Sequence, residues 1–297
     1  MDVEIKNTAL IFTIAHEQSV REFLERFFVA KKRIHELYME KELIVNGNSV
    51  PPHTTLKIGD RLSLPALADE PIDFIPKQGE LSIVYEDEHL LIVNKPAGIL
   101  VHPDAKDKTG TLCNLVAGYY ERTGQKRRVR YIHRLDVETS GGIIFAKHFL
   151  AHSYLDGLLA EKKIRRQYLA LATGKIMASK GTVNAPIARD RHQNGRRRAG
   201  KLGDPAVTHY RVLKANREKT AVELTLETGR THQIRVHLAH IGHPLLSDLL
   251  YGGRKEPGLD RHALHSWKIQ LDHPITKEKI KLEIPVPADM LRIWDSI

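Results

Sequence analysis

Tyr131-Ile132-His133-Arg134-Leu135-Asp136-Val137-Glu138-Thr139-Ser140-Gly141-Gly142 gathers a phenol, an imidazole, a guanidinium, two carboxylates and two aliphatic hydroxyls, then runs straight into Ile143-Ile144-Phe145-Ala146. Gly142–Ala146 reads as a buried strand, because a short unbroken apolar run entered through glycines suits a strand covered on both faces. The polar stretch before it is then a loop held at the end of a rigid element, where chemistry tends to sit.

Two other segments share this character. Arg166-Gln167-Tyr168-Leu169-Ala170 belongs to a strand predicted over Arg166–Ala172, whose alternation sends Tyr168 and Ala170 to one face. Glu227-Thr228-Gly229-Arg230-Thr231-His232-Gln233-Ile234-Arg235-Val236-His237-Leu238 leads through Gly229 into an amphipathic helix predicted over Thr231–Ile241. On that helix Ile234 and Leu238 take one face, and His232 and Arg235 share another. Singly, each segment has a plain structural explanation: Asp136 caps a turn, Tyr168 packs in a core, Arg235 forms an ion pair. Together, a carboxylate, a phenol and a guanidinium on three separate elements suggest a site that modifies a base.

The rest of the chain supplies the frame. Ser19–Met39 reads as two short helices separated at the basic Lys31-Lys32-Arg33. Leu43-Ile44-Val45, the Asn46-Gly47 turn, the Gly59-Asp60 turn and Arg61–Leu64 read as small antiparallel strands. Residues 1–65 therefore form a compact module, 66–80 with Pro71 and Pro76 a linker, and 81–297 the larger domain. Within that domain Leu81–Tyr85 and Leu90–Asn94 form a hairpin, Thr111–Tyr120 and Leu150–Ala160 are helices, and Thr208–Leu213 and Ala221–Glu227 are strands. Strands and helices do not alternate regularly, so the expected class is α+β with a mixed, mainly antiparallel sheet.

Charge narrows the partner. The 297 residues carry 46 Lys and Arg against 36 Asp and Glu, a formal +10. Residues 1–65 hold nine of each sign, so the whole surplus falls after residue 65 and favours an anionic partner, nucleic acid above all. Arg127, Arg128 and Arg130 lead into the Asp136 loop, and Arg196, Arg197 and Arg198 form a second basic segment; both are expected to track phosphates. The lone Cys113 excludes an intrachain disulfide and a cysteine-built zinc site. No apolar run approaches the ~18 residues of a membrane span, and Met1-Asp2-Val3-Glu4 lacks a basic leader, so a cytosolic protein is expected.

Several other chemistries fail on inspection. Gly195 to Lys201 imitates a phosphate-binding loop, but Leu202 brings no hydroxyl for magnesium and no strand precedes it. Of His232, His237, His240 and His243, only His237 and His240 stand at i, i+3 on the predicted helix, so hydrogen-bonding or packing roles are favoured over a metal site. A metal-dependent RNA hydrolase built on His237, His240 and His243 stands as one competing class, and a non-catalytic RNA-binding or ribosome-assembly protein as another.

His133 to Gly141 resembles the signature of the RluA/RluD-type RNA pseudouridine synthases. The likeness continues through Asn94-Lys95-Pro96-Ala97-Gly98, His102-Pro103, Pro186-Ile187-Ala188-Arg189-Asp190, Gly229–Leu238 and Gly242-His243-Pro244, in order over about residues 81–285. Residues 1–65 are similar to the S-four-type RNA-binding domain found ahead of many such enzymes, notably at Val45-Asn46-Gly47 and Gly59-Asp60. Ser247-Asp248 stands where the family commonly has Gly-Asp, and Ser266 where alanine is usual. The resemblance implies isomerisation of uridine to pseudouridine in RNA, with ribosomal RNA of the large subunit first and transfer RNA second, by a monomer needing no metal or other cofactor. It implies Asp136 as the catalytic aspartate, Tyr168 as the residue stacked on uracil and a proton acceptor, and Arg235 as the partner of the aspartate. Arg134 falls beside the flipped-out nucleotide, and His133, Thr139, Arg230, His232, Gln233 and Lys95 are the expected substrate contacts.

Overall fold

The computed structural model describes residues 2–104, 109–193 and 195–297. The N-terminal module comprises β1 (Asp2–Lys6), β2 (Ala9–Thr13), β3 (Gln18–Ser19), α1 (Val20–Glu25), α2 (Lys31–Met39), β4 (Ile44–Val45), β5 (Asn48–Ser49), β6 (Thr55–Leu56) and β7 (Arg61–Leu64). Its antiparallel sheet has the order β1-β2-β7-β4-β5, and β3 pairs with β6. Ser19 starts α1 with a capping box, its Oγ accepting from the Glu22 amide while the Glu22 carboxylate accepts from the Ser19 amide. The break between the helices falls at Phe28, which adopts a left-handed φ of 56°, so the basic Lys31-Lys32-Arg33 opens α2 and does not interrupt the helical stretch as expected. Asn46 and Gly47 both have positive φ, the requirement of a tight hairpin between β4 and β5.

The larger domain follows as β8 (Ile83–Glu86), β9 (Leu90–Lys95), α3 (Leu112–Arg122), β10 (Arg130–Tyr131), β11 (Ser140–Ala146), α4 (Phe149–Ala160), β12 (Arg165–Thr173), β13 (Lys180–Asn184), β14 (Ile187–Arg189), β15 (Arg197–Ala199), β16 (Val207–Ala215), β17 (Lys219–Leu226), α5 (Gln233–His240), β18 (Leu264–Asp272), β19 (Lys279–Glu283) and α6 (Ala288–Asp295). The main sheet runs β13-β16-β17-β12-β18-β11-β9-β8, with β10 added on β11 and β19 on β18. Every pair is antiparallel except β11 with β18, so the fold is α+β with a mixed sheet.

The apolar run in β11 is buried throughout because helices cover both faces of the sheet. Ile144 and Ala146 pack with Leu155 and Leu158 of α4, while Ile143 and Phe145 pack with Val116, Ala117 and Tyr120 of α3. The N-terminal module docks against the far side of α4: Leu150 and Ile275 join its core, and Lys277 Nζ sits 3.3 Å from the Tyr154 ring centroid and 4.2 Å from that of Phe27. No helix among the described residues is long and apolar enough to cross a membrane.

Residues 66–80 contain neither helix nor strand, yet they lie against the larger domain. Ile72 and Phe74 pack on the α3 core, the Lys77 amide donates to Asn114 O at 2.9 Å, and Asn114 Nδ2 donates to Ile75 O at 2.9 Å. The closest approach is at Gly118 of α3, where a Cβ would stand 2.1 Å from Lys77 O. Helix propensity alone favours alanine over glycine by about 1 kcal/mol, but overpacking against a fixed backbone costs about 1–3 kcal/mol. Gly118→Ala is therefore expected to lower the thermal midpoint, and an unchanged or raised midpoint in calorimetry would show that 66–80 is only loosely attached.

Candidate active site

Asp136, Tyr168 and Arg235 line one cleft of about 820 Å³ together with Arg134, His232 and Thr139. The Asp136 loop comes from the N-terminal end of β11, Tyr168 from β12, and Arg235 from α5. Asp136 Oδ2 lies 3.6 Å from Arg235 Nη1 and 3.8 Å from His232 Nε2. Tyr168 and Ala170 do share a face, and both enter one apolar cluster with Ile234 and Leu238 of α5.

The loop after Asp136 is fastened at successive residues. Val137 O accepts from Lys95 Nζ and from the Gly98 amide, each at 2.9 Å, and Glu138 O accepts from Arg261 Nη1 at 3.2 Å. Thr139 Oγ1 is bonded to His262 Nε2 at 2.7 Å and Ser140 Oγ to His265 Nδ1 at 2.9 Å. Burial pushes the His262 imidazole down to about 2 and that of His265 down to about 4, so both act as neutral hydrogen-bonding groups. Arg261 is in turn held by Asp289 of α6 at 2.8 and 3.0 Å.

Arg235 belongs first to another carboxylate. Its Nε and Nη2 donate to Asp248 at 2.8 Å each, and its guanidinium lies 4.9 Å from the Tyr251 ring centroid. The Asp248 side chain is fully buried, and the fork-to-fork pair fixes the guanidinium plane so that Nη1 is left toward Asp136.

Residues 89–240 match the family model described as RNA pseudouridylate synthase, and residues 11–62 match that of the RluD ribosomal pseudouridine synthase N-terminal domain. The chain belongs to the RNA pseudouridine synthase family. The N-terminal module, expected to be S-four-like, is accordingly assigned to the RluD N-terminal domain. The synthase is 49% identical over 263 residues to the uncharacterized RNA pseudouridine synthase YhcT of Bacillus subtilis, covering 88% of this chain and 87% of that one. It is 38% identical over 278 residues to the ribosomal large subunit pseudouridine synthase D of Escherichia coli, covering 89% and 85%. Among solved structures, human RNA pseudouridylate synthase domain containing 4 superimposes with a TM-score of 0.60 at 25% identity, over 71% of this chain and 90% of that one.

The remaining expected contacts of the synthase divide. Lys95 does not line the cleft: it is fully buried and donates to Pro96 O, Ile99 O and Val137 O at 2.9 Å each, so it clamps two loops. Burial pushes its ammonium down to about 7, against the pull of Glu138 and Asp136. Gln233 lines the cleft but is committed to the frame, donating to Val207 O and Thr208 Oγ1 and accepting from Thr228 Oγ1 and the Arg230 amide. His232 has a left-handed φ of 59° and precedes α5, so it does not share a helical face with Arg235 as expected. Arg230 is exposed at the cleft with Nε on Pro205 O, and His133 lines it with both ring nitrogens buried and unpartnered among the described residues. Arg134 Nη1 is bonded to His102 Nε2 at 3.1 Å, and the His102 ring stacks on Tyr131.

The basic segments also separate. Arg130 makes two bonds to Glu70 at 2.8 and 2.5 Å and is only 13% exposed, and Arg127 donates to Lys147 O, so both guanidinium groups are engaged within the fold. Arg128 remains half exposed, 3.9 Å from Asp73. Arg197 and Arg198 lie on the β14–β15 hairpin and Arg196 just before β15, with its guanidinium 5.6 Å from the Tyr251 ring centroid. His237 uses both ring nitrogens, on Thr208 Oγ1 and Ala185 O, and His243 Nδ1 donates to Thr173 O. Those bonds occupy both ring nitrogens of His237 and one of His243, and no group of three or more His, Cys, Asp or Glu among the described residues is arranged to hold a metal.

Asp248 and Tyr251 were not among the expected site residues. The Ser247-Asp248 pair marked the place, since Ser247 adopts a left-handed φ of 57° where the family's glycine would be at ease. Asp248→Asn keeps the shape but strands a buried guanidinium, which should cost about 3–5 kcal/mol. Urea denaturation is expected to show that loss together with reduced turnover, and a variant as stable as the parent would mean that Arg235 does not depend on this pair.

Proposed function

We propose that the synthase isomerises uridine in large-subunit ribosomal RNA, with Asp136 as its catalytic carboxylate and with no cofactor. The substrate follows from the likeness to relatives named ribosomal large subunit pseudouridine synthase D, together with the positive surplus after residue 65. The chemistry rests on one observation: the Asp136 carboxylate faces an arginine 3.6 Å away in a cleft that Tyr168 also lines.

The reaction breaks the bond from ribose C1′ to uracil N1, turns the ring and joins C1′ to C5; the proton lost from C5 is balanced by one gained at N1. A base must first leave its stack, which costs a few kcal/mol and least in loops and junctions. Tyr168 offers the extruded uracil an aromatic surface worth roughly 1–3 kcal/mol. Asp136 then supplies the anion, either by adding to the nucleoside or by removing a ribose proton, while Arg235 orients it. The Tyr168 hydroxyl relays the C5 proton, taking it up as it passes its own proton to water, or water beside it takes that proton directly.

Asp136→Asn is expected to abolish pseudouridine formation, read by chemical labelling of the modified base, while RNA binding falls by less than about threefold. Normal turnover in that variant would overturn the assignment. Tyr168→Phe keeps the ring and removes the hydroxyl; a slowed rate supports proton transfer, and an unchanged rate restricts this residue to stacking. Pseudouridine mapping with and without the gene should show sites lost from large-subunit ribosomal RNA, and losses confined to transfer RNA would replace the substrate named above.

A further inference from the structure

Tyr251 lies in the 3-10 turn Leu249–Tyr251, outside every segment that marked the site, and is almost fully buried. Its hydroxyl oxygen accepts the Arg197 backbone N–H at 2.9 Å and stands 2.9 Å from His232 Nδ1. The same ring lies 4.9 Å from the Arg235 guanidinium and 5.6 Å from that of Arg196. One side chain thus touches the basic hairpin, the histidine beside Asp136 and the arginine beside Asp136.

The direction of these bonds follows from donor and acceptor chemistry. An amide N–H only donates, so the Tyr251 oxygen is an acceptor toward Arg197, and its own proton has to go elsewhere. Among the described residues, His232 Nδ1 is the other group bonded to that hydroxyl. Burial holds the His232 imidazole below its ordinary pKa, despite the pull of Asp136, so the neutral ring carries one N–H. With Nδ1 accepting from Tyr251, that N–H is on Nε2, the nitrogen 3.8 Å from Asp136 Oδ2. The distance exceeds a hydrogen bond, as catalytic contacts often do before substrate closes them.

We propose that Tyr251 is a positioning residue that fixes His232 in its Nε2–H tautomer and so presents a second donor, beside Arg235, to the catalytic carboxylate. The inference rests on the assignment of Asp136 made above. A chain of three groups runs from the hairpin backbone through phenol and imidazole to the carboxylate, and it links the segment carrying Arg196–Arg198 to the reacting end of the cleft.

Nitrogen-15 NMR of the full chain, with the His232 signal assigned by its loss in His232→Gln, should show Nε2 protonated and Nδ1 bare. Tyr251→Phe should raise the Nδ1–H population and lower kcat on a large-subunit ribosomal RNA transcript about tenfold, with KM within about twofold, as expected for loss of one oriented hydrogen bond. In a His232→Gln background, whose carboxamide donates without a tautomer to set, the same change should cost less than about twofold. An Nδ1–H tautomer in the parent, an unchanged kcat in Tyr251→Phe, or equal losses in both backgrounds would each overturn the proposal. Should Tyr251→Phe fail to fold, the parent's tautomer decides. That measurement needs no turnover, so it is separable from the Asp136→Asn result: full activity there would remove the catalytic assignment and leave the tautomer reading intact.

Discussion

Ser266 of β18 stands in register with Gly141 of β11 on one side and with Tyr168 of β12 on the other. This double pairing is the constraint from which the cleft follows. Interstrand spacings of about 4.8 Å put the Gly141 and Tyr168 backbones roughly 10 Å apart, a separation on the scale of one nucleoside. The parallel contact between β11 and β18 is short, Ser140 with His265 and Gly141 with Ser266, and it is possible only because residue 141 has no Cβ. A Cβ there would lie 2.3 Å from Ser266 O, and the φ of 115° is itself one that side chains rarely adopt. Gly141, at the end of the polar loop, therefore sets how closely β11 approaches β18 and, through it, the Tyr168 strand.

Electrostatics at the site has an order of strength. Arg235 is neutralised first by Asp248, at 2.8 Å with geometric matching, and only then reaches Asp136 at 3.6 Å. At an effective dielectric of about 20 a charge pair at that distance is worth roughly 5 kcal/mol before water in the cleft screens it, and repulsion from Asp248 offsets part of that. A carboxylate so held is oriented without being locked into an ion pair of its own. Had Arg235 gripped Asp136 as tightly as it grips Asp248, both Asp136 oxygens would be spent on the guanidinium. The second carboxylate thus supports the arginine and leaves the first available for chemistry.

What could be read from the chain was local. Ser140–Ala146, Arg165–Thr173 and the two helices flanking β11 announce themselves by unbroken or periodic apolar residues, and of the three candidate site residues Asp136 precedes the first of these strands and Tyr168 lies within the second. β1 escaped because it is an edge strand with charged, exposed positions, and β18 because His265 and Ser266 interrupt its apolar pattern at buried positions. Lys95 shows the limit most clearly. A lysine inside a family motif reads as a substrate contact, but its three acceptors come from residues 96, 99 and 137, and only the folded loops bring those carbonyls to one point. The Asp248 and Tyr251 contacts are likewise made across 13 to 54 residues of sequence, where no periodicity reports them.

The placement of the N-terminal module follows from the same helix that covers β11. Phe28 approaches α4 so closely that a Cβ at Gly157 would stand 2.1 Å from its ring, while Leu159, two residues further along the same helix, lines the cleft. The module therefore sits within about one helical turn, roughly 5 Å along the axis, of the cleft's border. Its nine basic and nine acidic residues add no net charge to the field that draws an anionic partner. Long-range attraction consequently arises from the larger domain, where the whole positive surplus falls.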